Sequence, residues 1–466
     1  MITKTANSEL KDYQQRVLDK LYGSDDSPHG LIAYHSTGSG KTLTALSALQ
    51  KALQDKNDRA LWVAPASLTS NFEKEKQKHG ITFPGNVDVY SYEKARSIAD
   101  ELAKNKYKLT VLDEAHKLRN QDTGAATKLK PILGNSDKVL ALTGTASYND
   151  PVDTMNLIKL IDKNAPVITD KKKFYKSYVF PEKWTLKPKG KKELKEILNK
   201  YVDVYDTPQD SRDFPAVTHK DVQVEMSPKQ VEMYDYFMRK LPSDLRLKVT
   251  RKLPMSPQDA GKLNSFSTAV REVSDSTAPF RKDIPIDDST KLQLAEKNLL
   301  NMAKDNDNFR GIAYSNFLGA GLEPYKEILS KKGIQPMLFT GDLGKKQKNA
   351  IVSDYNTPGG KKVMLLSSSG GEGLDLKNTR LIQILEPHFN KSKIKQVEGR
   401  GARYQSHIGL PERDRNVLIE HYTSTLPRTM LQKALGKSSD TSIDEYLNYL
   451  SDKKQRLSDE IKGLVL

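Results

Sequence analysis

Cysteine is absent from the whole chain, which excludes disulfides and thiolate metal sites and fits a reducing interior. Long apolar runs are missing as well. No stretch approaches the roughly 18 residues that cross a bilayer, and Met1 to Leu10 is polar, without the apolar centre of a signal peptide. An intracellular protein with no membrane span is expected. The residues present are those of an ordinary soluble protein, 36% hydrophobic and 29% charged over 466 positions. That is too apolar for a disordered chain and too long for one core, so two or three domains are expected. Lysine and arginine outnumber the acids by 75 to 59, a formal charge of +16. Such an excess suits either a plain basic surface or a polyanion partner, because cations that neutralise phosphates release condensed counterions. Between Asn164 and Tyr205 eleven lysines face five acids. Composition favours nucleic acid without proving it.

Two stretches alternate short apolar runs with longer amphipathic ones, the pattern of parallel sheets covered by helices. Strands are expected at 30–35, 60–65, 87–92, 109–114 and 138–143, then at 310–315, 336–340, 362–367, 381–386 and 417–422. Helices are expected between most of them, as at 42–55 and 321–331. The fold class is α/β, with a first domain over 1–164 and a second over 289–425. Between them, 165–288 is rich in lysine and broken by Pro208, Pro215, Pro228, Pro254, Pro257, Pro279 and Pro285, and it reads as a partly helical insertion and linker. Its Trp184 is either a stacking residue for bases or the core of a small insertion fold. Residues 426–466 turn helical and charged, with a terminal helix at 442–466 that either braces the domains or lies on the surface.

Three constellations carry chemistry. His35-Ser-Thr37-Gly38-Ser39-Gly40-Lys41-Thr42 lies between an expected strand and an expected helix. Glycines there let backbone N–H groups wrap phosphates, and the following helix N-terminus adds positive potential. Lys41 would reach the β- and γ-phosphates of ATP and the Thr42 hydroxyl would bind Mg²⁺. The phosphate-loop pattern has its first glycine where this chain has His35. Val111-Leu-Asp113-Glu114-Ala-His116 ends an apolar strand, where unpaired carboxylates are costly to bury. Asp113 would hold Mg²⁺ and Glu114 would polarise the attacking water; an ordinary helix cap is the alternative. Gln396-Val-Glu-Gly399-Arg400-Gly-Ala-Arg403 places two arginines three apart, on one face of a helix. They are either a solvated basic face or arginine fingers that reach the γ-phosphate from the opposite domain.

With these residues in view, the chain resembles superfamily 2 helicases and translocases, in the Swi/Snf-like branch and near the helicase-like ATPases of large DNA viruses and phages. The similarity runs from Leu10 to about Tyr422. Leu10-Lys-Asp-Tyr13-Gln14 resembles the adenine-reading motif, and Val63-Ala-Pro65-Ala-Ser67-Leu the strand-contacting segment that follows it. Leu142-Thr143-Gly-Thr145-Ala is similar to the segment that couples hydrolysis to movement. Ala313-Tyr-Ser315-Asn316 and Phe339-Thr340-Gly341-Asp342 resemble backbone-gripping segments of the second domain. Ser369-Gly370-Gly371-Glu372-Gly373-Leu-Asp375-Leu and the segment from Gln396 to Arg403 resemble the last two helicase motifs. Weaker phrases point to the Swi/Snf branch, among them Ser289-Thr-Lys291-Leu292.

The resemblance implies two tandem RecA-like domains sharing one ATP site. It assigns Lys41, Glu114, Gln396, Arg400 and Arg403 to catalysis. Gln14, Thr37, Gly38, Ser39, Gly40, Lys41, Thr42, Gly373 and Asp375 would bind nucleotide, with Thr42 and Asp113 on Mg²⁺. Pro65, Ser67, Thr143, Ser315, Asn316 and Thr340 would contact nucleic acid through its backbone. The expected activity is ATP-driven translocation on duplex DNA. A strand-separating DNA or RNA helicase is one alternative, and a nucleotide-gated clamp with little turnover is another. Protein partners would dock on the insertion or the C-terminal helix. The protein would act in a cytoplasm, an infected cell or a virus particle.

Overall fold

Strands buried on both faces read as near-continuous apolar runs, and parallel sheets covered by helices are where such strands occur. The computed structural model of the chain describes residues 10–465 apart from 37, 67, 70, 121–122, 145–149, 181, 207–213, 282, 284, 369–373, 404 and 437. Contacts divide the chain into two units, Met1–Pro208 with Lys454–Leu466, and Gln209–Lys453.

The first unit holds β1 (Gly30–His35), β2 (Arg59–Ala64), β3 (Asn86–Ser91), β4 (Leu109–Leu112), β5 (Lys138–Thr143), a small hairpin of β6 (Val179–Phe180) and β7 (Thr185–Leu186), and β8 (Val202–Tyr205). Six of these form a sheet in the order β3-β2-β4-β5-β1-β8, and every neighbouring pair is parallel. Alternate residues feed two apolar layers, as the strand period of two requires. Ile32, Tyr34, Leu61, Val63 and Val139 face one layer. Leu31, Ala33, Trp62, Val111 and Leu140 face the other.

The second unit holds β9 (Ala216–Glu225), β10 (Arg310–Ser315), β11 (Met337–Phe339), β12 (Lys362–Ser367), β13 (Leu381–Ile384) and β14 (Asn416–Thr425). They form a second six-stranded sheet, ordered β11-β12-β10-β13-β14-β9, again parallel throughout. Its two faces bury Ala313, Val363 and Leu365 on one side and Ile312, Tyr314, Met364 and Leu366 on the other. A separate helical layer packs around Tyr234, Leu245, Leu263, Val273 and Tyr446.

The segment 165–288 differs from its reading as an insertion and linker. It supplies β8, the edge of the first sheet, and β9, the edge of the second, and the division between units falls inside it. β9 escaped the pattern because its first six residues, Ala216 to Asp221, are exposed on the sheet edge, so no apolar alternation marks them. Trp184 is buried, at 2% exposure, with its ring edge-on to Tyr175. It is a core residue of the first unit and offers no face for stacking bases. The terminal helix, Ile443–Lys462, contributes to both units: Ile443, Tyr446, Leu447 and Leu450 join the helical layer of the second, and Leu457 and Ile461 join the first core. Among the described residues no helix is long and apolar enough to cross a membrane.

Candidate functional site

Parallel α/β sheets bind ligands beyond the carboxyl ends of their strands, where loops gather and helix N-termini point. In the first unit register puts four expected segments at that edge. Tyr34 of β1 pairs with Thr143 of β5, Leu112 with Ala141, and Val63 with Leu112. The glycine loop, Asp113, Thr143 and Pro65 therefore leave the sheet on one side.

Two loop glycines are left-handed, Gly38 at φ 83° and Gly40 at φ 77°, a region side chains resist. A Cβ on Gly40 would also come within 2.8 Å of the Gln14 amide nitrogen. Lys41 then opens the helix Lys41–Ala52, and its ammonium donates to the His35 and Ser36 carbonyls, both at 3.0 Å. Gln14 clamps the loop from outside. Its Nε2 donates to the Ser39 and Gly40 carbonyls at 3.3 and 3.2 Å, while its Oε1 accepts from the Lys11 N–H. Tyr13 adds a hydroxyl donated to the Ser39 carbonyl at 2.7 Å. Thr37 lies outside the described residues.

His35 has a partner that no motif announces. It is fully buried, and its Nε2–H donates to Asp203 Oδ1 at 2.8 Å. Asp203 sits in β8, directly beside β1 in register, and also accepts from Arg16 Nε at 2.6 Å and lies 3.3 Å from the Lys20 ammonium. Burial alone would raise the Asp203 carboxyl; hydrogen bonds from His35 and Arg16 and the charge of Lys20 outweigh it and hold it down at about 2. Beside this network Tyr13 and Tyr205 stack, with ring centroids 3.5 Å apart and planes 8° from parallel. Both clues were in the sequence: a histidine where the loop pattern has glycine, and an acid inside the apolar strand Val202-Asp-Val-Tyr205.

β4 stops at Leu112, short of the acid pair. The Asp113 N–H still donates to the Val63 carbonyl at 2.8 Å, and the chain then turns through Glu114 at φ 52°, a strained value for a side-chain-bearing residue. Burial first, then the charge of Glu114, push the Asp113 carboxyl up to about 6, while Lys41 pulls the other way. A half-buried carboxyl crowded by a second acid gains from a cation, and the hydroxyl and carboxylate oxygens of Thr42 and Asp113 are the hard donors Mg²⁺ prefers. Glu114 Oε2 lies 3.2 Å from His116 Nδ1.

The nucleic-acid segments are placed less openly. Thr143 and Ser315 end β5 and β10 with no exposure, so their hydroxyls face the interior. Asn316 is held by Glu386, whose Oε1 accepts from its backbone N–H and, at 2.8 Å, from its Nδ2. Thr340 is mostly buried and donates to Asp342, holding that carboxyl below its ordinary value. Pro65 is buried. Ser67, Thr145 and Gly373 lie outside the described residues.

In the second unit the helix Lys391–Gly401 carries Gln396 and Arg400 but ends before Arg403, so the two arginines do not share a helical face. Gly399 and Gly401 weaken its last turn. Arg403 lies beyond it, with a guanidinium nitrogen donating to the Leu374 carbonyl at 2.8 Å, next to the exposed Asp375. The Arg400 carbonyl accepts from the Leu376 N–H, which ties the arginine segment to that loop.

Family profiles and relatives cover most of the chain. A SNF2-related domain profile matches residues 77–277, a helicase conserved C-terminal domain matches 291–405, and a type III restriction enzyme res-subunit profile matches 7–79. A protein of Acanthamoeba polyphaga mimivirus, named provisionally as an ATP-dependent RNA helicase, is 28% identical over 98% of this chain and 96% of its own length. A termination factor NPH-I homolog of African swine fever virus is 24% identical over 95% of this chain and 76% of its own length. The solved SWI2/SNF2 ATPase core of Sulfolobus solfataricus, in complex with double-stranded DNA, covers 99% of this chain and 97% of its own at 18% identity and a TM-score of 0.39. The chain thus carries a SNF2-related domain followed by a helicase conserved C-terminal domain, the domains of a nucleic-acid-dependent ATPase.

Proposed function

We propose that this chain is an ATP-driven translocase on double-stranded DNA. The observation that carries the reading is the gathering of a left-handed glycine loop, Lys41 and the Asp113–Glu114 pair at the carboxyl edge of one parallel sheet, within a chain matched by a SNF2-related profile. Lys41 would exchange its two loop carbonyls for the β- and γ-phosphate oxygens, a stronger, charge-assisted pairing. Glu114 would orient the attacking water, its backbone strain fixing where the carboxylate points. Bound Mg²⁺, held by Thr42 and Asp113, would neutralise charge on the triphosphate. Arg403, with Arg400, would stabilise the γ-phosphate charge that develops in turnover. Because Thr143 and Ser315 are buried, the adjoining loops would grip phosphates mainly through backbone N–H groups, with little sequence preference.

Duplex DNA is favoured by the SNF2-related match and by relatives named as a termination factor and as a RAD54-like DNA repair protein. The mimivirus relative's name favours RNA instead. ATP hydrolysis measured with duplex DNA, single-stranded DNA and RNA separates these readings. The proposal expects duplex DNA to stimulate most, together with triplex displacement. Stimulation by RNA alone would overturn it, and hydrolysis unaffected by any nucleic acid would indicate a clamp. Arg403→Ala should lower stimulated turnover by at least about 100-fold, and a wild-type rate would refute the arginine assignment.

A further inference from the structure

Outside the ATP machinery, the second unit brings two histidines and a glutamate together at the edge of its sheet. β9 and β14 run parallel with His219 opposite Ile419 and Asp221 opposite His421. His219 and His421 are thus two register steps apart and lie on the same face. On β14 that face begins with Val417 and Ile419, packed with Ile394 and Val397 of the helix Lys391–Gly401. Glu398 follows one turn after Ile394 on this helix, and so comes to lie over the histidines.

The three ligand-type atoms converge. His219 Nδ1 is 3.1 Å from His421 Nε2, His421 Nε2 is 3.5 Å from Glu398 Oε1, and Glu398 Oε1 is 3.9 Å from His219 Nδ1. A triangle with those edges has a circumscribed radius of about 2.0 Å, so one point lies at zinc–ligand distance from all three atoms. A tetrahedral ion needs edges only slightly shorter, near 3.3 Å on average, and His219 is exposed on an edge strand, where it can adjust. Two imidazoles and one carboxylate suit zinc-class ions better than Mg²⁺. The lysines Lys391 and Lys395 are nearby; Lys391 is paired with Asp452.

We propose that His219, Glu398 and His421 form a binding site for a zinc-class divalent ion, with a further coordination position open to solvent. An ion there would fasten the edge strand β9 and its neighbour β14 to the helix that bears Arg400. The simpler use of these atoms is a direct hydrogen bond between the two rings, which lie 15° from parallel.

The test uses the full chain stripped with a chelator, titrated with Zn²⁺ by calorimetry and with Co²⁺ by visible absorption. Because the chain has no cysteine, any ligand-field band must come from nitrogen and oxygen donors. The expected result is one ion per chain, with affinity reduced at least about 10-fold in His219→Ala and in Glu398→Gln while circular dichroism shows both variants folded. Excess Mg²⁺ should not displace it. The site is refuted if the stripped wild-type chain takes up no Zn²⁺, or if a His219→Ala, His421→Ala double variant binds as the wild type does. Neither readout involves ATP hydrolysis, so the outcome stands apart from the translocase reading.

Discussion

His35 and Asp203 show how one departure from a motif is answered by another. A buried carboxylate is tolerable only when paired and hydrogen-bonded, and Asp203 receives His35, Arg16 and Lys20. Since its folded value near 2 is below the ordinary one near 3.9, the stabilisation is fully present above pH ~4 and lost as the pH falls toward 2. The loss amounts to roughly 2 kcal/mol. Asp203→Asn should remove that acid-dependent loss, seen in denaturant melts at pH 2 to 5, and should lower stability at neutral pH by about 3 kcal/mol, because His35 and Arg16 lose their counter-charge. At the loop itself, Lys41→Ala should abolish hydrolysis, by at least about 100-fold, and leave polyanion binding measured by anisotropy largely intact. Equal loss of both would mean that the substitution unfolds the first unit.

At the scale of elements, a buried ion triad fastens three helices of the second unit. Lys291, in Thr290–Ala303, reaches Asp275 at 2.6 Å and Asp444 at 2.8 Å, and none of the three side chains is exposed. Asp275 closes the helix Thr268–Asp275, and Asp444 sits in the first turn of the terminal helix. Removing one member leaves uncompensated buried charge. Lys291→Met should therefore destabilise by about 3–5 kcal/mol in thermal or urea unfolding, whereas a change under 1 kcal/mol would show that the carboxyls simply take up protons. The strands with both faces buried, such as β1, β5, β10 and β12, were legible to the residue because burial on both sides demands unbroken apolar sequence. β9 was not, since an exposed edge strand such as its Ala-Val-Thr-His-Lys-Asp run is held by ladder hydrogen bonds and needs no apolar signal.

For the whole molecule, the terminal helix matters to each unit separately. Leu457 and Ile461, at 1% and 7% exposure, belong to the first core, and each contributes about 1.5–3 kcal/mol by burial. Ending the chain after Lys453 should lower the first unit's stability by several kcal/mol, seen as a lower melting temperature and faster proteolysis between Gly30 and Tyr205. Unchanged melting would mean that the segment is a passive tail.

What the sequence determined by itself was local: apolar strands, the glycine loop after one of them and the acid pair after another, because a strand, its loop and its helix are contiguous and each leaves its mark in neighbouring residues. Only the tertiary structure decided which strands close the sheets, that Arg403 lies past the end of its helix, and that His35 meets Asp203 from 168 positions away. Contacts over such separations are made by packing and register, and each partner alone shows only an odd residue in its place.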